Sequence, residues 1–174
     1  MEQLPRWNFI EWSDANKWVK DVNYPTNMLY SKALKIYSEI YKDDKSAEKS
    51  RHIKEKILKH SFNGKVFLDH AIRENGILRT NENDISEVCQ YYAVFFGIAN
   101  LNDEKFSCLK DLILNVFGPD IKKNGIMPEI ACANAFIGNY LRMEILLNLK
   151  MHEKLITEIK GYFLKMAKTT GILW

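Results

Sequence analysis

Residues 86–99 read SEVCQYYAVFFGIA, and after its first two residues this stretch is apolar or aromatic on nearly every side. A helix that is hydrophobic all round is buried by its neighbours, whereas a helix with a single apolar stripe lies at the surface of a globular protein. The stretch therefore predicts a buried helix that begins at Ser86.

Five more helices are predicted around it. Two are also apolar or aromatic nearly all round, and each begins at a proline, which suits the first helical position; they span residues 25–42 and 128–149. The other three carry one apolar stripe and a charged face, and they span residues 46–62, 103–118 and 152–168. An Asn75-Gly76 pair between two short apolar runs predicts one small β-hairpin between the second and third helices.

Buried and exposed helices thus alternate along the chain. In antiparallel hairpins such an alternation builds an inner and an outer layer, so we expect an all-α fold that forms part of an (α/α)6 toroid. An α-solenoid is the competing arrangement, but no repeat of about 34 or 40 residues is visible. The chain of 174 residues shows no linker, and we expect residues 1–174 to form a single, partial toroid domain.

Composition excludes several classes of function. The formal net charge is +3 and no basic stripe is present, which argues against nucleic-acid binding. Three cysteines and four scattered histidines form no zinc-binding pattern, so we expect neither a metal nor another cofactor. No apolar run reaches about 18 residues, which argues against a membrane span. We expect a cytoplasmic chain, although a longer parent protein could carry a signal peptide upstream.

The loops differ between the two ends of the predicted layers. In up-down connectivity residues 7–24, 79–87, 118–129 and 169–174 all emerge at one end, and they are rich in tryptophan, carboxylate and amide groups. The loops at the opposite end are short and charged. Binding residues concentrate on loops that a scaffold positions, so the first end is the candidate functional end.

The tryptophans at that end have two interpretations. Trp7, Trp12 and Trp18 repeat at neither helical nor strand spacing, and they stand beside carboxylate and amide residues. Pyranose rings stack on aromatic faces while carboxylates and amides bind their hydroxyls, so the loop could form a sugar site. Equally, the tryptophans could be structural and plug the end of the helix layer.

Four stretches carry a resemblance to a known family. They are residues 7–30 (WNFIEWSDANKWVKDVNYPTNMLY), 86–99, 128–147 (PEIACANAFIGNYLRMEILL) and 161–174 (GYFLKMAKTTGILW). In this order and spacing the set resembles the C-terminal half of the catalytic domain of bacterial α-L-rhamnosidases, which are inverting six-hairpin toroid glycosidases. The resemblance covers nearly the whole chain and implies a carbohydrate, a rhamnoside, as the substrate.

The resemblance also implies a set of substrate-binding residues. Trp12 would form an aromatic wall for the rhamnose, and three residues of the third helix would line the inner ring: Glu87, Gln90 and Tyr91. Four further residues of the candidate end complete the expected set: Trp7, Glu11, Glu129 and Trp174. Glu11 could be nominated as a catalytic acid, but a capping role or a contact to a sugar hydroxyl is the favoured interpretation.

No residue of this chain is expected to be catalytic. Inverting glycosidases need a carboxylic acid and a carboxylate base on opposite faces of the sugar. The resemblance implies that the acid lies upstream of the matched region and that the base would directly follow Trp174. We therefore expect a fragment of a glycosidase that does not hydrolyse by itself.

Half a ring would expose the apolar sides of its helices, and such surfaces promote self-association. Two alternatives remain open at this point: a non-catalytic helical sugar-binding or interaction module, and a fragment of another (α/α)6-toroid glycosidase of uronidase-like or trehalase-like type. The rhamnoside, its linkage and its aglycone are left undefined by these motifs.

Overall fold

A computed structural model describes residues 1–5, 8–125, 127–134 and 136–171. The chain is mostly helical, with one small three-stranded antiparallel sheet. The α-helices are α1 (Tyr24–Tyr41), α2 (Asp44–His60), α3 (Glu87–Phe95), α4 (Ser107–Asp111), α5 (Pro119–Asn124), α6 (Gly138–Asn148), α7 (His152–Glu158) and α8 (Lys165–Thr170). The strands are β1 (Val22–Asn23), β2 (His70–Glu74) and β3 (Ile77–Thr80).

The first two predicted helices form a hairpin. The Asn23 side chain caps α1 by accepting a hydrogen bond from the backbone N–H of Thr26, at 2.9 Å. Two small residues, Ser31 of α1 and Ser50 of α2, meet where the helices touch. The Ser31 hydroxyl donates to the Ser50 carbonyl (2.9 Å), and the Ser50 hydroxyl donates to the Ser31 carbonyl (2.6 Å). These reciprocal bonds fix the register of the hairpin and satisfy two buried hydroxyl groups.

The predicted β-hairpin is confirmed. Strands β2 and β3 pair antiparallel across Asn75 and Gly76, whose φ angles of 49° and 81° are those that a tight hairpin turn requires. A third strand, β1, pairs with the start of β2. It was not predicted, because two residues are too short to show a strand pattern.

The buried helix predicted from residues 86–99 is confirmed as α3, which is shorter than expected. Every residue from Glu87 to Ala93 is buried. The Ser86 side chain caps the helix at Cys89, and the buried Asp69 carboxylate accepts bonds from the Ser86 backbone N–H (2.5 Å) and hydroxyl (2.6 Å). Asp69 thereby ties the sheet to α3, and burial raises its pKa to about 8.

The fourth predicted helix is found as three consecutive helical segments: a 3₁₀ turn at Glu104–Phe106, α4, and a π-helical turn at Leu112–Val116. The chain then turns at Gly118, whose φ of +119° favours glycine, and α5 begins at Pro119. We had expected residues 118–129 to be a loop, so α5 corrects that expectation. Proline at the first helical position is the signal that could have indicated it.

The fifth predicted helix, residues 128–149, is wrong in its first half. Helix α6 begins only at Gly138. Upstream, Ala131 pairs with Ser86 as an isolated parallel bridge, so the Ala131 N–H donates to Ile85 and the Glu87 N–H donates to the Ala131 carbonyl. Backbone groups engaged with distant residues cannot form the helical i to i−4 bonds, so this segment stays irregular.

The buried character predicted for the first helix is also corrected. The buried residues of α1 all lie in its first half, and its second half packs against α2 on one side and faces solvent on the other. Five large apolar side chains of α1 are between 43% and 67% exposed: Leu29, Ile36, Tyr37, Ile40 and Tyr41. We call this exposed face the α1 apolar stripe.

The sixth predicted helix is confirmed as a surface element. It runs from α7 through a π-helical turn at Ile159–Leu164 into α8, and none of its residues is buried. Within the described ranges, no helix is both long enough and apolar enough to cross a membrane.

Candidate functional site

A cavity of about 640 Å³ lies at the loop-rich end that the sequence favoured. Three segments form its walls: residues 11–16, the Gly118 turn with the start of α5, and residues 128–134 before α6. Tyr162, from the π-helical turn of the last helix, also lines it. The cavity is therefore built from segments that lie far apart in the sequence.

Trp12 lies on the cavity wall with its side chain largely free. It is 67% exposed, and its ring meets Phe9 edge-on at a centroid distance of 4.8 Å. Its carbonyl accepts a hydrogen bond from the Asn134 side-chain amide at 3.0 Å, which holds the backbone on each side of the cavity together. The indole is thus largely open to solvent, unlike that of an end plug buried under the loops.

Glu11 is completely buried although it lines the cavity. Its carboxylate accepts bonds from the Ser13 hydroxyl (2.6 Å) and from the backbone N–H groups of Asn134 (3.1 Å) and Gly138 (3.0 Å). The Ile137 side chain, at the N-cap position of α6, makes no capping hydrogen bond. Glu11 caps the helix instead, although it lies 127 positions earlier in the sequence than Gly138. Burial raises the pKa of Glu11 to about 7.

Glu87 is the second buried carboxylate of the cavity and it holds the same irregular segment. It accepts bonds from the backbone N–H groups of Gly118 (2.6 Å) and Ala133 (2.8 Å), and from the Tyr91 hydroxyl. Burial raises its pKa as well. Glu11 and Glu87 together hold the backbone of Ala133, Asn134 and Gly138, and we call this pair the carboxylate clamp.

Arg142 extends this network to the last helix. Its guanidinium is 1% exposed, donates to the Tyr91 hydroxyl (3.2 Å) and the Ile113 carbonyl (2.7 Å), and forms two parallel bonds with Glu158 at 2.7 and 2.8 Å. It also packs against the Gly118 turn, where an added Cβ would lie 2.8 Å from the arginine Nε. The glycine is therefore needed both for its φ angle and for the space that the guanidinium occupies.

The structure brings three of the expected site residues together at the cavity: Glu11, Trp12 and Glu87. Gln90 and Tyr91 are buried behind it. The Gln90 amide is occupied by the backbone of Phe67, accepting from its N–H and donating to its carbonyl, both at 2.8 Å. These bonds give Gln90 a structural role.

Glu129 is exposed in a turn and is not a helix N-terminal residue, because α6 begins nine residues later. Its neighbours Pro128 and Ile130 line the cavity. Trp7 and Trp174 lie outside the described residues.

Several lining residues were missed by sequence reasoning. Polar side chains of the walls include Asp14, Asn16, Asn134 and Asn139. Asp14 is exposed and pairs with Lys17 at 2.8 Å, and Asn16 accepts a bond from the Ile10 N–H. The sequence signal for the first two of these positions was the loop WNFIEWSDANKW (residues 7–18), whose amide and carboxylate content indicated polar chemistry.

The arrangement suits binding better than catalysis. Both carboxylates of the clamp are occupied by backbone amides, whereas the Trp12 indole and the Asp14 carboxylate are exposed and accessible to a ligand. Within the described chain, no three His, Cys, Asp or Glu side chains come together as a metal site requires. No protein-family model matches the sequence, and no curated protein is significantly similar to it.

Proposed function

We propose that the cavity binds a sugar and that the chain forms part of the catalytic domain of an α-L-rhamnosidase-like glycosidase. In this proposal the helical hairpins are one side of an (α/α)6 toroid, and the substrate is a terminal rhamnoside. The observation that carries the proposal is the position of Trp12, an exposed indole on the wall of a cavity with polar side chains.

The chemistry of the cavity supports a sugar as the ligand. A volume of about 640 Å³ falls within the range of about 300–1,000 Å³ that small-molecule sites occupy. An indole face offers an apolar surface for the C–H groups of a pyranose ring. Asp14, Asn16 and Asn139 line the same cavity, and carboxylate and amide groups bind hydroxyls through both donor and acceptor atoms.

Hydrolysis by this chain alone is not part of the proposal. A general acid or base must lie within hydrogen-bond reach of the group it protonates or deprotonates. Glu11 and Glu87 are buried, and their oxygens accept bonds from the backbone N–H groups of Gly118, Ala133, Asn134 and Gly138. We assign both to positioning the cavity wall, and we expect the chain to bind sugar without cleaving it.

A second copy of the chain is the proposed protein partner. The α1 apolar stripe leaves Leu29, Ile36 and Ile40 exposed on one side of the helix, and surfaces of this kind promote association. In a complete toroid, a neighbouring hairpin would cover this side. Self-association of the isolated chain follows from the same argument.

Calorimetric titration with L-rhamnose tests the function, with D-mannose and D-glucose as controls for the sugar. We expect saturable binding that is selective for L-rhamnose. Trp12→Ala should weaken it about tenfold or more, because a loss of about 1.4 kcal/mol changes affinity tenfold. Trp18→Phe is the matched control, since Trp18 is half-buried and does not line the cavity. Equal effects of the two substitutions, or equal binding of the three sugars, would contradict the proposal.

A further inference from the structure

A second cavity, of about 630 Å³, lies between α2, the β-hairpin and the start of α1. Within the described ranges it shares no lining residue with the sugar cavity. Nothing in the proposed function uses it. We call it the α2 cavity.

One wall of the α2 cavity carries two cationic side chains, Lys56 and Arg73, together with two histidines. His52, Lys56 and His60 line it from successive turns of α2, at a spacing of four residues that places them on one helix face. Arg73 lines it from strand β2. Burial, followed by the positive charges of Lys59, Lys56 and Arg73, lowers the pKa of His60, as expected where cationic groups are crowded together.

These charges are incompletely neutralised. Glu2 is the carboxylate that lines the cavity. Both of its oxygens accept a hydrogen bond from the Arg73 Nε, at 2.8 and 3.0 Å. Lys56 is exposed and has no ion-pair partner among the described residues. A ligand that carries negative charge would find an unpaired ammonium group at this wall.

The strongest sign of a ligand is Tyr24. Its side chain lines the cavity and is only 3% exposed, yet its hydroxyl has no hydrogen-bond partner in the part of the chain that the structure describes. Buried hydroxyls are nearly always paired, because leaving one unpaired costs free energy. Burial raises the pKa of Tyr24 to about 12, so the hydroxyl keeps its proton at neutral pH and can donate a hydrogen bond to an acceptor.

The remaining lining is mostly apolar, and its polar Asn27 side chain is bonded to the backbone of Met1 and Asn23. Val22, Ile53, Ile57, Ile77 and Leu78 line the cavity beside the cationic and hydroxyl groups. A free inorganic anion would leave this surface without a partner. An uncharged apolar molecule would satisfy neither Tyr24 nor Lys56.

We propose that the α2 cavity binds a small organic anion with an apolar body, such as an aliphatic carboxylate. Its anionic oxygens accept a hydrogen bond from the Tyr24 hydroxyl and pair with the cationic wall, where Lys56 is free. Its apolar body packs against the isoleucine and leucine side chains. This site is independent of the sugar cavity and does not rest on the proposed function.

Titration calorimetry with three probes at neutral pH tests the proposal. Octanoate carries both the charge and the apolar body, acetate carries only the charge, and octan-1-ol carries the apolar body with an uncharged hydroxyl in place of the carboxylate. We expect saturable binding of octanoate that is about tenfold tighter or more than that of either other probe. Octan-1-ol binding as tightly as octanoate, or no binding of octanoate, would overturn the proposal.

Variants locate the site. Lys56→Gln and Tyr24→Phe should each weaken octanoate binding about fivefold or more, since each removes one partner of the anionic group. Lys45→Gln is the matched control: it removes the same charge from an exposed position of α2, about 16 Å along the helix from Lys56. Equal octanoate affinity in the Lys56 and Lys45 variants would exclude the cationic wall as the binding site.

Tyr24→Phe has a second readout that a purely structural role would not give. Without octanoate, removing an unpaired buried hydroxyl should raise the melting temperature by about 2–4 °C. With saturating octanoate the advantage should disappear, because only the wild-type hydroxyl gains a partner. A variant that is less stable than the wild type in the absence of the probe would contradict the unpaired state of Tyr24.

Discussion

Replacing Glu11 with glutamine should change how the stability of the protein depends on pH. Burial raises the pKa of this carboxyl from its ordinary value of 4.5 to about 7 in the folded chain. The folded state therefore binds the proton more tightly than the unfolded state. The resulting stabilisation is fully present below pH 4.5 and is lost as the pH rises through about 7.

The magnitude follows from the two pKa values. Each pH unit between them removes about 1.4 kcal/mol from the free energy of unfolding, so the full loss is about 3 kcal/mol. Glutamine does not titrate and lacks this loss. It also places an amide donor near the backbone N–H groups of Asn134 and Gly138, which adds a cost of about 1–3 kcal/mol that is independent of pH.

Urea unfolding from about pH 5 to about pH 8 measures this difference. We expect Glu11→Gln to be less stable than the wild type at the acidic end and to gain about 3 kcal/mol relative to it towards the alkaline end. Glu55→Gln, at an exposed position of α2, is the control and should stay within about 0.5 kcal/mol of the wild type throughout. A difference between Glu11→Gln and the wild type that is constant with pH would refute the reasoning.

Three further outcomes are expected. Arg142→Met should cost about 3–5 kcal/mol in urea unfolding and Arg142→Lys less, because the methionine removes both bonds to Glu158, which keeps only the longer contact to Lys154 (3.6 Å), and leaves the buried Ile113 carbonyl without its donor; equal losses would contradict the role of the ion pair. Gly118→Ala should cost about 2 kcal/mol more than Gly97→Ala, since both have positive φ but only at Gly118 would a Cβ meet the guanidinium. The double variant Ile36→Glu/Ile40→Glu should sediment as a monomer at concentrations where the wild type associates, and a monomeric wild type would argue against the α1 apolar stripe as an interface.

Local signals in the sequence predicted local structure well. The Asn75-Gly76 pair gave the hairpin, and the run of apolar residues after Ser86 gave the buried helix, because turn chemistry and hydrophobic periodicity act over a few residues. The charged face of residues 152–168 likewise gave a surface helix.

Long-range contacts account for the largest errors. Residues 128–137 contain enough apolar residues for a helix, but the backbone amides of Ala133 and Asn134 bind Glu87 and Glu11, which are remote in sequence. The predicted burial of α1 was wrong for a related reason. Hydrophobic periodicity indicates which face of a helix is apolar, but it does not indicate whether another element packs on that face.

The candidate site was predicted in part. Its location among the loops at one end and the exposure of Trp12 agree with a binding site, whereas the carboxylates that looked available in the sequence are buried and bonded to backbone. The unpaired hydroxyl of Tyr24 is a second feature that the sequence could not predict. Its sequence context at the start of a helix does not indicate an unpaired hydroxyl. That property depends on whether β2 and α2 place a hydrogen-bond partner beside the hydroxyl in the fold.

The central claim, that the cavity beside Trp12 is a sugar site, is tested most directly by two-dimensional NMR of the tryptophan indole N–H groups. The chain has 4 tryptophans, so the spectrum contains one indole signal for each, and single substitutions assign them. We predict that L-rhamnose shifts the Trp12 signal saturably while D-glucose leaves it in place and the Trp18 signal does not move. A Trp12 signal that is unchanged by L-rhamnose, or that responds equally to both sugars, would contradict the account.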